Sequence, residues 1–552
     1  MTEEVKVEYR PTVITSNGIA EEVWNREDPP CYAVRYFDSN KIEFVNEIET
    51  GRVDRKGRPI VYRPVVDANL EEKVVLLPTG VEEATLEECF EEGVRLALEI
   101  YDCPEDRVEE FKFFVACAQS SWFIDRYMPN PRLELAGMGK FVPILSARGP
   151  AGTGKGRFVN AMRLNVYRSL YMVSSKRIPS IFRPMDLWRG TLCVDECDVG
   201  NVGEESEIIK YFNDRCYGVP FLRQDPNNPK VSQVFYNFGL SVVAQRRPWP
   251  DDAIESRTLP FLCDKVQKQL PTVELEEWIE RGLRLQNKLL YVRLTLWDKV
   301  HIDRRAWVEG INDYRLIASV LPLLAVSKFA PRMTERLVEI LKELDRRRRS
   351  VRAISRDGVI VNFIWDRIEE SCVSVHNGYP YLTYREEGSE EFKPLTASKV
   401  AQSLKWSASE VRRVVQSLRI TPEDAPRLIK LSNRVYRPIF INPSNLENAF
   451  REFVVDYEPF AVVEKLGELA KQILPSLLPS RKLSVTSSTS VTYAEPLVAD
   501  ALRLCRTMGI FTVWQLAEGL KVDLKTAEAV VNRLVEDRKV LRMPDGNYRV
   551  VE

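Results

Sequence analysis

The chain has 552 residues, of which 44% are apolar and 29% charged, an ordinary globular composition with room for about three or four domains. The formal net charge of −1 excludes a global attraction to polyanions, so any nucleic-acid surface must come from local segregation of charge. Ten Cys occur without a C-x-x-C pair, and with two His, His301 and His376, neighbouring residues assemble no zinc-ligand spacing.

Cys193 and Cys197 come nearest to such a pair, but they flank an apolar run and read as core. No apolar run approaches the roughly 20 residues that span a bilayer, and no charged-then-apolar leader opens the chain. The expectation is a cytoplasmic protein, off the membrane, with reduced thiols. Charge does segregate. Asp67 to Glu110 is strongly acidic, whereas "LKELDRRRRSVRAISR" and the segment Lys405 to Arg437 are basic.

In chain order, "CYAVRYF", "KIEFVNEI", "RPIVYRPVV" and "KVVLL" read as short strands separated by turn chemistry, a small β-rich module over 1–80. Leu86, Phe90, Val94, Ala97 and Leu98 fall on one stripe of a helix over Leu86 to Ile100, and Val108 to Ile124 continues as an apolar helix, giving a helical collar over 81–138. "KFVPILSA", Lys140 to Ala147, is an apolar strand that runs into "RGPAGTGKGRF", and a helical pattern follows.

That strand, glycine turn and helix form the context of a phosphate-binding loop. Gly149, Gly152, Thr153, Gly154, Lys155, Gly156 and Arg157 are its expected nucleotide-binding residues. Glycines permit close approach of backbone N–H groups to phosphate, and Lys155 reaches the β and γ phosphates. The usual Ser or Thr after the Lys, which takes up Mg²⁺, is here Gly156. The loss removes one inner-shell ligand, which water can replace, so binding is expected to survive better than turnover; Thr153 and Ser174 are possible hydroxyl donors from elsewhere. About 40 residues on, "GTLCVDECD" ends an apolar run in two acids. Asp195 is expected to hold the metal, and Glu196 to orient or deprotonate the attacking water. ATP and Mg²⁺ are the expected cofactors.

A further apolar strand, Leu240 to Ala244, ends at Gln245, and "AIESRTLPF" follows. With "GPAGTGKGR", "IFRPMD", "GTLCVDECD" and "VPFLRQDPNNPKVSQVFYNFG", this order resembles the AAA+ P-loop ATPases, and within them the helicase modules of phage, plasmid and mobile-element replication proteins, near the superfamily-three and primase-associated helicases. The resemblance covers about Phe141 to Arg349. It implies an α/β core over 139–270, a parallel sheet with helices on both faces, and a helical lid over 271–350. It also implies Arg257 as an arginine finger that enters a neighbouring subunit's site, Gln245 as a phosphate sensor, and a homo-oligomeric ring, expected to be a hexamer. Arg315 is either a lid sensor or a solvated arginine on an amphipathic helix. Arg223 and Lys230, in a turn-rich segment, either grip single-stranded DNA in the ring's pore or belong to an inert surface turn.

The C-terminal third carries two repeats of a winged-helix pattern. In the first, over 351–445, "TASKVAQSLK" capped by Thr396 precedes a recognition helix "SASEVRRVVQSLR" capped by Ser407, and a two-stranded wing turns at Ser432 and Asn433. Arg412, Arg413 and Arg419 on the helix, and Lys430 and Arg434 on the wing, are the expected contacts to duplex DNA. A helix and a Ser/Thr-rich linker occupy 446–495. The second winged helix, over 496–552, offers Lys525 and Arg533. Winged helices also serve as protein–protein modules, an alternative that weighs more for the second wing than for the first. The whole reads as a DNA-dependent ATPase, a ring-forming helicase or translocase of a replicating element. The alternative is a DNA-binding regulator or initiator that uses ATP binding as an assembly switch with little hydrolysis.

Overall fold

The computed structural model describes residues 5–39, 41–127, 140–173, 179–198, 207–225, 228–265, 276–311, 313–370, 373–377, 379–385, 391–431 and 434–455, with short pieces between 510 and 550. Two compact units emerge, Met1–Arg348 and Arg349–Glu552.

The first unit opens with seven strands: β1 (Lys6–Tyr9), β2 (Thr12–Ile14), β3 (Gly18–Val23), β4 (Cys31–Tyr36), β5 (Ile42–Val45), β6 (Ile48–Val53) and β7 (Pro59–Arg63). β2 to β5 form an antiparallel sheet in chain order, while β7 pairs in parallel with β1 and antiparallel with β6. Alternation sorts the side chains of β4. Tyr32 and Val34 pack with Val13, Ala20, Ile60 and Tyr62 in the module's own core, and Ala33 joins the main core.

β3, "GIAEEV", is buried at all six positions. Within it Glu21 lies in a charge network: Arg168 at 2.5 Å, Arg293 at 2.8 Å and the Tyr167 hydroxyl at 2.7 Å. Arg293 in turn grips Asp125. The expected strand "KVVLL" is absent. After a short helix α1 (Ala68–Glu71), Val75 makes a single antiparallel bridge to Leu170, with Leu76 N–H donating to the Ser169 carbonyl and Tyr171 N–H to that of Val74. The left-handed φ of Lys73 and Pro78, which has no N–H to donate, confine the pairing to those few residues.

Helix α2 (Leu86–Ile100) starts in a capping box between Thr85 and Glu88, and α3 (Val108–Ser120) passes into a 3₁₀ segment, Ser121–Tyr127. The central sheet follows. Its strands β8 (Ile144–Arg148), β9 (Ser169–Met172), β10 (Thr191–Val194), β13 (Ser241–Gln245) and β14 (Thr258–Leu262) lie in the order β14-β8-β13-β10-β9, all parallel. Continuous apolar runs suit strands buried on both faces.

Around the sheet are helices α4 (Lys155–Arg163), α5 (Pro179–Trp188), α6 (Glu207–Tyr217) and α7 (Asp252–Glu255), and the hairpin β11 (Phe221–Asp225) to β12 (Asn228–Phe235). This is a P-loop-like α/β core. Phe158 of α4 stacks on Phe261 of β14 at 5.1 Å, and both meet Phe111 and Phe114 of α3 edge-on, so the collar clamps the helix that follows the glycine loop. Helices α8 (Glu276–Leu296), α9 (Tyr314–Val326) and α10 (Leu337–Ala353) complete this part of the chain.

In the second unit come α11 (Arg356–Glu370), the antiparallel strands β15 (Val373–His376), β16 (Tyr379–Arg385) and β17 (Phe392–Pro394), then α12 (Ala397–Leu404), α13 (Ala408–Ser417), the hairpin β18 (Ile429–Leu431) to β19 (Arg434–Tyr436), and α14 (Pro443–Phe453). Thr396 and Ser407 cap α12 and α13, the latter in a capping box with Glu410, and Val400, Val411, Val414, Ile364 and Phe450 share one core. Strands β20 (Ile510–Phe511), β21 (Val540–Arg542) and β22 (Tyr548–Val550) pair in the order β20-β22-β21. Ser432, Asn433, Lys525, Arg533 and the Ser/Thr-rich segment lie outside the described residues.

Among the described residues no helix is long and apolar enough to cross a membrane, no group of three or more His, Cys, Asp or Glu is placed to hold a metal, and eight cysteines are free thiols, Cys193 and Cys197 buried among them.

Candidate nucleotide site

In an open parallel sheet, ligands bind at the carboxyl ends of strands where the strand order reverses. β8 and β13 are such neighbours: the chain leaves β8 for β9 at one edge and leaves β13 for β14 at the other. The glycine loop leaves the sheet at Arg148, the last residue of β8. Gly149 N–H donates to the Gln245 carbonyl at 3.3 Å, which ties the loop to β13. Gly154 has φ 77°, a left-handed conformation that glycine adopts without a Cβ penalty, and it forms the N-cap of α4 with no side-chain cap. Side chains cap α2, α7, α9, α12 and α13. At α4 the N-cap residue supplies no side-chain acceptor to the first-turn N–H groups, and the helix dipole favours an anion there. Lys155 Nζ donates to the Pro150 carbonyl at 2.6 Å, which keeps the ammonium over the loop. The Thr153 hydroxyl is committed to the same carbonyl at 2.9 Å, and Thr153 is buried, so it does not replace the hydroxyl missing at 156. Ser174, the other possible donor, lies outside the described residues.

Asp195 and Glu196 follow β10. A Cβ built on Gly156 would lie 2.6 Å from Asp195 Oδ2, so the carboxylate rests directly against the first turn of α4. Asp195 Oδ1 accepts from Glu196 N–H at 3.0 Å, and Tyr171 of β9 lies near enough to the same carboxylate to favour its charged form. Burial raises the Asp195 carboxyl above its usual range and the negative charge of Glu196 adds to this, while the Glu196 N–H, the Lys155 charge and Tyr171 pull the other way. Glu196 is exposed, with φ 54°. A non-glycine residue held in the left-handed region stores strain that accompanies functional turns. Lys155, the uncapped helix start and the Asp195 carboxylate form a donor set that fits Mg²⁺ and a nucleoside triphosphate.

The remaining expected residues are placed as follows. Gln245 is buried, accepting from Ser146 Oγ at 2.8 Å and donating to the Cys197 carbonyl at 3.5 Å; its amide is engaged between β8 and the acidic turn. Arg157 turns an arm to the Ile100 carbonyl of α2, at 3.3 Å. Arg257 immediately precedes β14, whose first residue, Thr258, pairs with Ile144 at the start of β8, so it stands at the end of the sheet opposite its own loop. Its guanidinium lies 5.0 Å from the Tyr217 ring centre and bonds the Ala253 carbonyl.

Arg315 is not brought to the loop. Its Nη1 donates to Ser256 Oγ at 2.6 Å, beside Arg257. The cause is the anchoring of α9: Asp313 caps it and holds Arg348, whose second arm reaches the Thr258 carbonyl.

Arg223 lies on the β11–β12 hairpin, exposed but 5.5 Å from the Phe182 ring, on the same strand face as Phe221, which also packs on Phe182. Leu222 and Val234, paired across the strands, face away and are exposed. Lys230 belongs to β12, and its side chain lies outside the described residues. On α13, Arg413 and Gln416 are exposed and Arg412 half-buried; Arg419, Lys430, Arg434 and Arg437 are exposed.

Two contributors escaped the sequence. Tyr171 has no motif of its own and matters only because β9 lies beside β10. Arg148 forms a two-armed pair with Glu255, both contacts at 2.7 Å, and donates to Ser146 Oγ at 3.2 Å, linking the root of the loop to the short helix before Arg257.

No protein-family model and no curated protein matches the chain. Solved structures do resemble it. One is an active helicase, Cch of SCCmec type IV, at 11% identity and a TM-score of 0.37, covering 79% of this chain and 78% of that one. The C-terminal region of NrS-1, residues 305–718, is similar in two apo structures at 12% and 11% identity, with TM-scores of 0.31 and 0.32, covering 76% of this chain and 96% of theirs. What the site can do follows from the chain's own residues.

Proposed function

We propose that the chain is a DNA-dependent ATPase of the AAA+ kind, working as a ring-forming helicase or translocase. The observation that carries this reading is the Asp195 carboxylate set against the first turn of α4, with Glu196 next to it and Lys155 above the loop. Lys155 and the first-turn N–H groups bind the triphosphate, and Asp195 orients toward the metal position. Glu196, exposed on its strained turn, accepts the proton of the attacking water. A bound Mg²⁺ supplies charge neutralisation at the β and γ phosphates. Arg257, at the far end of the sheet, serves the neighbouring protomer's nucleotide, and Arg315 stands beside it as a second cation on that face. Winged-helix contacts from Arg412, Arg413, Arg419, Lys430 and Arg434 hold duplex DNA, and the β11–β12 hairpin meets a single strand.

The test is ATP hydrolysis by the purified protein without DNA, with single-stranded DNA and with duplex DNA, repeated with Lys155→Ala and Glu196→Gln. DNA stimulation lost in both variants supports the motor; its absence in the wild type, with no hydrolysis above background, refutes it. Gly156 favours one other reading, an ATP-dependent assembly switch on DNA. That reading expects tight binding and nucleotide-dependent oligomers with negligible turnover.

A further inference from the structure

The position after the loop lysine is where a P-loop places a hydroxyl beside the metal, and glycine there looks like a loss. Its surroundings give it a different meaning. A Cβ at 156 would meet Asp195 Oδ2 at 2.6 Å, Cγ at 3.4 Å and Oδ1 at 3.5 Å. The first of these distances lies well inside van der Waals contact, so one of the two partners would have to move.

Each partner is tied to its neighbours. The Asp195 backbone N–H donates to the Met172 carbonyl at 2.8 Å, and its Oδ1 is held by Glu196 N–H at 3.0 Å. On the other side, Asn160 Nδ2 donates to the Gly156 carbonyl at 3.0 Å, and Phe158, two residues on, is locked among Phe111, Phe114 and Phe261.

We infer that Gly156 and Asp195 are a matched pair: the carboxylate occupies the space of the missing side chain, and Gly156 is required for it to reach α4. This rests on the ATP-binding reading and goes further, because it makes the altered loop an adaptation with its own acid and not a damaged one. Asp195 then presents its oxygen where the hydroxyl of an ordinary loop would stand, while Glu196 N–H holds the other oxygen of the carboxylate. Restoring a Ser at 156 should therefore harm the site.

The experiment uses the full chain and a fluorescent ATP analogue, titrated in excess Mg²⁺ and in EDTA, with thermal melting of the nucleotide-free protein in parallel. Gly156→Ala and Gly156→Ser are expected to weaken binding in Mg²⁺ by about tenfold, the usual scale of a one-methyl overpacking, and to lower the melting temperature. In an Asp195→Ala background, Gly156→Ala should cost less than about twofold in affinity and leave the melting temperature unchanged, because the atoms it strikes are gone. Tighter Mg²⁺-dependent binding by Gly156→Ser overturns the inference, as does an equal cost of Gly156→Ala in both backgrounds, which is also what a general disruption of the loop would give. A wild-type protein that binds no nucleotide in either condition brings down the ATP-binding reading itself, whereas binding with equal costs brings down this pairing alone.

Discussion

Arg257 offers the sharpest test of how the active unit is built. Thr258, the residue after it, pairs with the first residue of β8, and the glycine loop leaves from the last. Four steps of about 3.3 Å separate those ends by roughly 13 Å. With an effective dielectric constant of about 20, a unit charge about 13 Å away stabilises a developing negative charge by about 1.3 kcal/mol, whereas direct contact at about 4 Å gives about 4 kcal/mol. The first is roughly tenfold in rate and the second roughly a thousandfold. Arg257→Ala is therefore expected to lower kcat about 10³-fold if the guanidinium completes an adjoining protomer's site, and no more than about tenfold if it acts within its own chain. The assay is steady-state ATP hydrolysis across a range of protein concentrations, together with an equal mixture of Lys155→Ala and Arg257→Ala. In that mixture the intact loop of one variant meets the intact arginine of the other, so two inactive proteins recover activity together. A loss of tenfold or less, or a rate per chain that is the same from dilute to concentrated solution, refutes the reasoning.

Glu196→Gln should lower single-turnover hydrolysis by roughly 10² to 10⁴ and leave nucleotide affinity within about twofold; an equal loss of both would make Glu196 a binding residue. Arg413→Ala, Lys430→Ala and Arg434→Ala are each expected to weaken duplex binding and reduce the log–log salt slope by about 1, measured by fluorescence anisotropy, and an unchanged slope removes that residue from the interface. Burial pushes the Glu22 carboxyl up to about 8, the Val65 N–H and Arg168 opposing and Asp67 and Glu21 adding. Because the folded value lies above the unfolded one, this group's contribution to stability is complete below about pH 4.5 and is lost as pH rises to about 8. Glu22→Gln, which stays neutral, should flatten the melting temperature across that window and raise it at the alkaline end; a slope identical to wild type refutes the assignment.

The loop, β8 and β10 were legible because their chemistry is local: apolar runs make buried strands, and a phosphate loop demands glycine where Cβ does not fit. β3 was not, since two adjacent glutamates are an exposed pattern until Arg168 and Arg293 arrive from 147 and 272 residues away in the chain. Arg315 looked compatible with a lid sensor on helical pattern alone, and its actual neighbour, Ser256, is 59 residues distant. Gly156 was visible as a departure, but its cause, the pressure of Asp195 against α4, exists only in three dimensions. The caps of α12 and α13 were readable for the opposite reason, as Thr396 and Ser407 bond N–H groups three residues away.

β9 ends the central sheet, and its outer side is met by Val74, Val75 and Leu76. A sheet that finishes in open N–H and C=O groups invites strands from other molecules, and this one is closed by the chain's own upstream segment. Trimming the protein to begin at residue 81 would strip that stopper away. The shortened protein would be expected to clump as it is concentrated, through edge-to-edge joining of β9.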